Sequence, residues 1–432
     1  MKIIFLANGN KKFYLIIFTL IIFLVFFTSF FKITANDGSR VATMESLVEK
    51  KTWQIENSLY GQETVDKLIY RGHLYSTKPP VLTLMGTGIY FVLHEFFYLD
   101  FYSDNPFFNA YYWITLILIG GAYILLLIYF YSSLRWFKLD ENNRLLLTAA
   151  LAFCTLYLPY SVTLNNHTIA GSFIFVSFYY YLKNKFKEGN VHFNLLLSGV
   201  FAGWASVIDI PSGTMFLAVI FLLHALSLRH KKVVVYILFA VPFIVLQFIF
   251  NYIVFESFFI HYLNSNNFQN IDYWINPKGI DALNHPWPLY LFNMLFGTHG
   301  LFLYTPLLFF SFYAMGKVIK RKSEFIIESI AVLFSFLVIT LFYLYVGNNY
   351  GGTAYGFRYY IPITPLFIFF TAHLFTEAPK YKMVFLMVAA ISFLFSAIGL
   401  TGIFFTPELY SINTGKSIFF PLLANYYMLL YK

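Results

Sequence analysis

The amino-acid sequence predicts an all-α, polytopic helical membrane protein of about 11–13 transmembrane helices with a partly helical first outer loop. Three observations predict it. Of the 432 residues, 59% are hydrophobic, 22% aromatic and only 11% charged, a balance foreign to water-soluble domains of this length. Apolar runs of about twenty residues recur from end to end, each enough to cross a bilayer. The basic residues fall in short clusters between those runs, the mark of cytoplasmic loops. The net charge of +9 is therefore read as membrane topology, with no nucleic-acid partner.

The first run, 13–32, follows Lys2, Lys11 and Lys12. It is long for a signal peptide and has no evident cleavage site, so it reads as a retained helix. A polar stretch, 33–78, forms the first outer loop. Within it Val41, Met44, Leu47 and Val48 share one helical face of Ser39–Lys51, which predicts a short helix on the membrane surface. Trp53 follows, suited to the interface. Further runs lie at 79–97, 111–131, 145–160, 167–182, 192–208, 211–228, 233–254, 289–316, 325–346, 359–376, 383–405 and 417–430. No repeat or linker divides them, so 1–432 reads as one integral membrane domain.

Basic clusters fall at Arg135/Lys138/Arg144, Lys183/Lys185/Lys187, Arg229/Lys231/Lys232, Lys317/Lys320/Arg321/Lys322 and Lys380/Lys382. Placing them in the cytoplasm collects the loops rich in Asn, His, Asp, Gly and Trp on the other side. One conflict follows. With the N-terminus inside, a full crossing by 79–97 would reverse every later assignment, so either that run does not cross or the charge rule fails near Arg135. The second long outer loop, 255–288, carries Asp272, Trp274, Lys278, Asp281, His285 and Trp287, and its length suggests a cover over a site. The lone cysteine, Cys154, excludes an intramolecular disulfide.

Asp37, in Asn36-Asp37-Gly38-Ser39-Arg40, stands where water and headgroups meet. A carboxylate there can take a proton from an attacking hydroxyl, and Arg40 one turn on can hold it ionised. The plainer reading is a helix cap with a local ion pair. Lys78, in Lys78-Pro79-Pro80, either anchors to lipid headgroups or neutralises a substrate phosphate. The segment Gly347 to Tyr360 holds four glycines in ten residues, then Tyr355 and Arg358. Glycines let the backbone approach a ligand, and a rim guanidinium fits a phosphate bidentately. His167, Asp209 and His299 are weaker signals that could equally satisfy neighbouring helices. An unpaired intramembrane carboxylate such as Asp209 is costly. No zinc, P-loop, dinucleotide or nucleophile-elbow pattern appears, and nothing calls for a metal or cofactor.

Asp37-x-x-Arg40 after the first span, a helix, Trp53, and Tyr75-x-x-Lys78-Pro79-Pro80 opening an apolar run resemble the GT-C glycosyltransferases. The likeness is greatest to the family 39-like branch of protein O-mannosyltransferases and aminoarabinose transferases. Asn166-His167, Gly300 to Pro306 and Gly351-Gly352…Gly356-Phe357-Arg358-Tyr359 look like bacterial members of the same superfamily. The resemblance implies a GT-C fold in the cytoplasmic membrane with its active site facing outside. It implies a polyprenyl-phosphate-linked sugar as donor and an envelope glycan, lipid or protein as acceptor. Asp37 then matches the catalytic aspartate and Lys78 the phosphate-contacting lysine. Arg40, Arg358, His167, His299 and Tyr355 complete the candidate binding residues. Thr77 stands where some relatives carry an acid, Asn36 removes a paired acidic motif, and 98–112 lacks an arginine. Donor sugar and acceptor therefore stay open. A lipid-linked sugar flippase is the alternative from another class, and an inactive GT-C relative is the third. Paired halves with midplane helix breaks, expected of a transporter, are not evident.

Overall fold

The computed structural model describes residues 11–28, 34–228, 230–258, 260, 271–377, 381–404, 409–411 and 416–431. The expected cover at 255–288 is therefore described without 259 and 261–270.

Helix α1 (Lys11–Phe27) leads to α2 (Ala35–Glu49), α3 (Leu59–Glu63), a hairpin of β1 (Lys67–Tyr70) and β2 (His73–Ser76), and α4 (Pro80–Phe97). Helix α5 (Ala110–Thr115) continues through a wider turn into α6 (Gly121–Ser133), so that 110–137 is one long rod. Then come α7 (Glu141–Phe153), α8 (Tyr157–Tyr160), α9 (Asn166–Lys185), α10 (Val191–Ile208), α11 (Ile210–Ser227) and α12 (His230–Phe255). Short α13 (Asp272–Ile275) precedes α14 (Trp287–Leu295), α15 (Leu301–Tyr304) and α16 (Leu308–Lys320). The chain ends with α17 (Ile326–Val346), α18 (Thr364–Glu377), α19 (Tyr381–Gly399), a hairpin of β3 (Leu409–Ser411) and β4 (Lys416–Ile418), and α20 (Pro421–Tyr431). The two small hairpins are additions to an otherwise helical architecture.

Contacts between helix ends sort the chain into two rims. Lys12 reaches Asn142 at 3.5 Å, Arg135 pairs with Glu188, and Lys185 pairs with Glu328 at 2.5 Å. These bonds gather the basic clusters at one end. At the other end Tyr111 meets Asp37 and Leu164, His167 meets Asp209, and Tyr70 meets the carbonyl of Phe255. The chain passes between the rims eleven times among the described residues: in α1, α5–α6, α7–α8, α9, α10, α11, α12, α14–α16, α17, α18 and α19. Length and composition alone mark eight helices as able to cross. That measure misses α1, α7, α9 and the broken α14–α16.

It also includes α4, which does not cross. Its start lies beside Arg40, and the chain just past its end returns to the same rim, where Tyr60 bonds the carbonyl of Phe101 at 2.8 Å and Tyr102 bonds Glu45 at 2.6 Å. Helix α4 instead runs parallel to α2, joined by Arg40–Thr83, Met44 against Gly86, and Tyr90–Glu49. With α4 lying along the rim, the described basic clusters between crossings share one rim, and the conflict over 79–97 is resolved. Three other expectations change. The 289–316 run is interrupted at 296–300 and 305–307, where Gly297, Gly300 and Pro306 sit. The 417–430 run opens with strand β4 and holds only the 11 residues of α20, about 16 Å of helix and too short to span. Helix α2 is not a surface helix: Asp37 to Ser46 are all buried beneath α4, the first hairpin and α5.

Helix α9 is the axis of the bundle, with nearly every residue from His167 to Leu182 buried. Protein rather than lipid surrounds it, which is why it tolerates polar residues such as Ser177, paired with Ser198 at 3.0 Å. Helices α10 and α12 approach so closely that a Cβ on Gly199 would lie 2.4 Å from the carbonyl oxygen of Tyr236. Small residues at a helix crossing are the usual membrane solution, because lipid supplies no hydrophobic drive between helices.

Candidate active site

The rim opposite the basic clusters holds a set of buried charges. Thr34 is the N-cap of α2 and Asp37 stands at the third helical position. Asp37 Oδ1 accepts from the Thr34 amide at 2.5 Å, Thr34 Oγ1 at 2.6 Å and the Gly38 amide at 3.1 Å. Its Oδ2 accepts from the Tyr111 hydroxyl at 2.5 Å. The capping role is thus real, but a long-range tyrosine adds to it. Burial pushes the Asp37 carboxyl above its ordinary range, and the Thr34 and Tyr111 hydrogen bonds pull part of that back.

Arg40, one turn along and only 1% exposed, does not ion-pair with Asp37. It donates to the Pro79 carbonyl at 3.2 Å and to Thr83 at 3.4 Å. Burial lowers its guanidinium to about 10, while Asp66 and Asp37 oppose the drop. Lys78 binds Asp66 at 2.7 Å. Burial lowers the Lys78 ammonium, Asp66 offsets this, and Arg358 and Arg40 both repel it. Asp66, like Tyr111, is a residue that the sequence reading missed. The hairpin pairs Lys67 with Ser76, which carries Asp66 directly across from Thr77 and next to Lys78. The turn is Arg71-Gly72, both at positive φ, 51° and 85°, as a two-residue hairpin turn requires, and Gly72 is its one local signal in the sequence.

Arg358 enters from the glycine-rich loop. Gly351, at φ +88°, lies so close that an added Cβ would stand 3.1 Å from the Arg358 Nε. The glycine thus lets the backbone pack on the guanidinium. Arg358 stacks near Tyr359 and Phe404, each 5.4 Å away. His167 Nδ1 lies 2.6 Å from Asp209 Oδ2, nearly fully buried, with Tyr359 edge-on at 5.3 Å. Asp209, Arg358 and Arg40 all act electrostatically on His167.

The structure thus brings Asp37, Arg40, Lys78, Arg358 and His167 together with Asp209, and adds Asp66 and Tyr111. It does not bring Tyr355 or His299 to them. The Tyr355 hydroxyl donates to the Phe395 carbonyl at 2.6 Å and its ring packs on Tyr304. His299 stacks on Tyr350 at 4.7 Å. Its carbonyl accepts from the Phe357 amide at 2.8 Å, a brace under the glycine-rich loop. The second outer loop touches both halves of the site's rim. Trp274 donates to the Val65 carbonyl at 2.8 Å, and His285 meets Tyr350 at 2.7 Å.

Beside Lys78 opens a narrow cleft of about 30 Å³ between the first hairpin, α2 and α12, lined also by Trp53, Tyr75, Phe250 and Phe255. Beyond it α12 presents exposed Val245, Phe248, Ile249 and Tyr252.

No family model matches the chain, and no curated protein matches it. Solved structures do match it. The chain is similar to ArnT from Cupriavidus metallidurans in the apo state, with a TM-score of 0.53 and 11% identity over 87% of this chain and 61% of that one. It is similar to the same protein bound to undecaprenyl phosphate, with a TM-score of 0.53 and 13% identity over 89% and 64%. The chain thus spans less than two thirds of the length of ArnT. The likeness shows the fold: this is a membrane protein of the architecture that ArnT has.

Proposed function

We propose that the protein is a membrane glycosyltransferase that moves a sugar from a polyprenyl-phosphate donor to a hydroxyl of an envelope glycan, lipid or protein. One observation carries the reading. Among the described residues no carboxylate lies within 4.0 Å of Arg40 or Arg358, and the Nε of each lacks a hydrogen-bond partner. Buried cations without a direct ion pair are costly in a low-dielectric site, and planar guanidiniums suit a phosphate. The undecaprenyl phosphate bound by ArnT supports a ligand of that class.

In the reaction the acceptor oxygen bonds to the anomeric carbon while the bond from that carbon to the phosphate oxygen breaks. The acceptor proton passes to the Asp37 carboxylate, which burial makes a stronger base. The electron pair leaves on the phosphate, where Arg40, Arg358 and Lys78 meet the developing charge. Base and leaving group on opposite faces of the sugar give inversion. The exposed apolar face of α12 beyond the cleft takes the isoprenoid tail. The described part of the second outer loop covers the site. With the basic rim cytoplasmic, transfer occurs at the outer face of the cytoplasmic membrane.

The test is binding of undecaprenyl phosphate to the purified protein in nanodiscs. Wild type binds, and Lys78→Ala and Arg358→Ala each weaken binding about tenfold or more while keeping the folded yield. Wild-type affinity in both variants removes the phosphate site.

A further inference from the structure

Three cations lie within electrostatic reach of one another on this rim, and they are not equivalent. Arg40 and Arg358 have no carboxylate within 4.0 Å among the described residues. Lys78 has one of its own: Asp66 Oδ2 at 2.7 Å, with the two side chains only 16% and 19% exposed. Lysine carries three donors, so one is spent on Asp66. The side chain also lines the cleft at which a lipid phosphate would lie, and Asp66 does not. A phosphate placed on Lys78 therefore shares its cation with a standing carboxylate, which repels it.

The backbone of Asp66 is pinned while its carboxylate is not. Its carbonyl accepts from Ser39 Oγ at 2.6 Å, from the Thr77 amide at 3.3 Å and from Thr77 Oγ1 at 3.1 Å. Lys78 is the one partner of its carboxylate among the described residues. The main chain thus stays fixed whether or not the carboxylate holds the lysine.

We propose that Asp66 is a positioning residue that holds Lys78 between turnovers and competes with the lipid phosphate for it, so that the product phosphate is let go. The inference rests on the reading of this site as one for a polyprenyl phosphate. Release needs such a device. Two arginines without direct ion pairs and a free lysine would bind a product phosphate more tightly than the donor, since the product carries more negative charge. A carboxylate returning to Lys78 removes one cation as the phosphate departs, and no bond is made or broken in the exchange.

The experiment measures undecaprenyl phosphate affinity and steady-state turnover in Asp66→Asn, which keeps the backbone bonds. Binding is measured at about pH 6.5, well below the ordinary lysine value. The Kd for undecaprenyl phosphate should fall about tenfold, with a lower kcat. In a Lys78→Met background the same change should shift the Kd far less, leaving only the field of Asp66 on Arg40 and Arg358. Asp66→Glu, which retains the charge, should keep wild-type affinity and is informative if the asparagine variant does not fold. Unchanged or weaker binding in Asp66→Asn, or equal tightening by Asp66→Glu, overturns the proposal while leaving the phosphate site intact. If wild type binds no undecaprenyl phosphate, the site reading fails and this inference with it.

Discussion

Replacing Tyr111 by phenylalanine tests the buried carboxylate without touching it. Asp37 Oδ1 keeps its three donors from Thr34 and Gly38, but Oδ2 loses its bond from Tyr111 at 2.5 Å. A hydrogen bond to a charged group contributes about 1.5–3 kcal/mol. At about 1.4 kcal/mol per pKa unit, the Asp37 carboxyl should rise by about 1–2 units above a value that burial already elevates. The base works ionised, so the acid limb of the rate profile should move up by that amount. The sign for stability follows from linkage. A carboxyl raised by folding adds stability at low pH that is lost as pH climbs through its folded value. Tyr111→Phe should therefore be less stable than wild type by more at neutral pH than in acid. The Leu164 amide also loses its acceptor at 3.1 Å, an added cost that does not depend on pH. The assay is sugar transfer from about pH 5 to 9 beside thermal melting in detergent. A folded, active variant whose acid limb has not moved would refute Asp37 as the base.

Three further outcomes follow from the same geometry. Because burial lowers the Lys78 ammonium, phosphate affinity should decline at a pH below the ordinary lysine value, and Lys78→Arg should extend binding to higher pH in a titration. Gly199→Ala places a Cβ 2.4 Å from the Tyr236 carbonyl oxygen. Melting should show a loss of about 1–3 kcal/mol as α10 and α12 part, and an unchanged melting point would contradict that crossing. Lys185→Met leaves Glu328, fully buried, with Tyr181 as its neutral partner. It should cost about 3–5 kcal/mol at neutral pH, and Glu328→Gln in the same chain should restore much of it.

The bundle was readable in the sequence because lipid imposes one rule on every crossing, a run of about twenty apolar residues. Where protein replaces lipid the rule weakens. Buried α9 carries Asn, Ser and Tyr and still crosses, whereas apolar α4 lies along the rim beside α2 because Arg40, Met44 and Glu49 give it a partner there. Asp37, Arg40, Lys78 and Arg358 were legible by type and place: each is a charge at the edge of an apolar run. Asp66 was not, since its role depends on a hairpin register that a composition scan does not see. Tyr111 was hidden for another reason. Its hydroxyl crosses 74 residues of sequence to reach Asp37, and nothing local to Tyr111 announces that bond. Tyr355 shows the converse, a residue inside a suggestive motif whose side chain turns to the core.

The most direct measurement is single-turnover transfer by Asp37→Asn. Radiolabelled polyprenyl-phosphate sugar is supplied with envelope acceptor, and donor binding is measured on the same sample. The account predicts that donor stays bound and no labelled product forms. Label reaching the acceptor at the wild-type rate would contradict it.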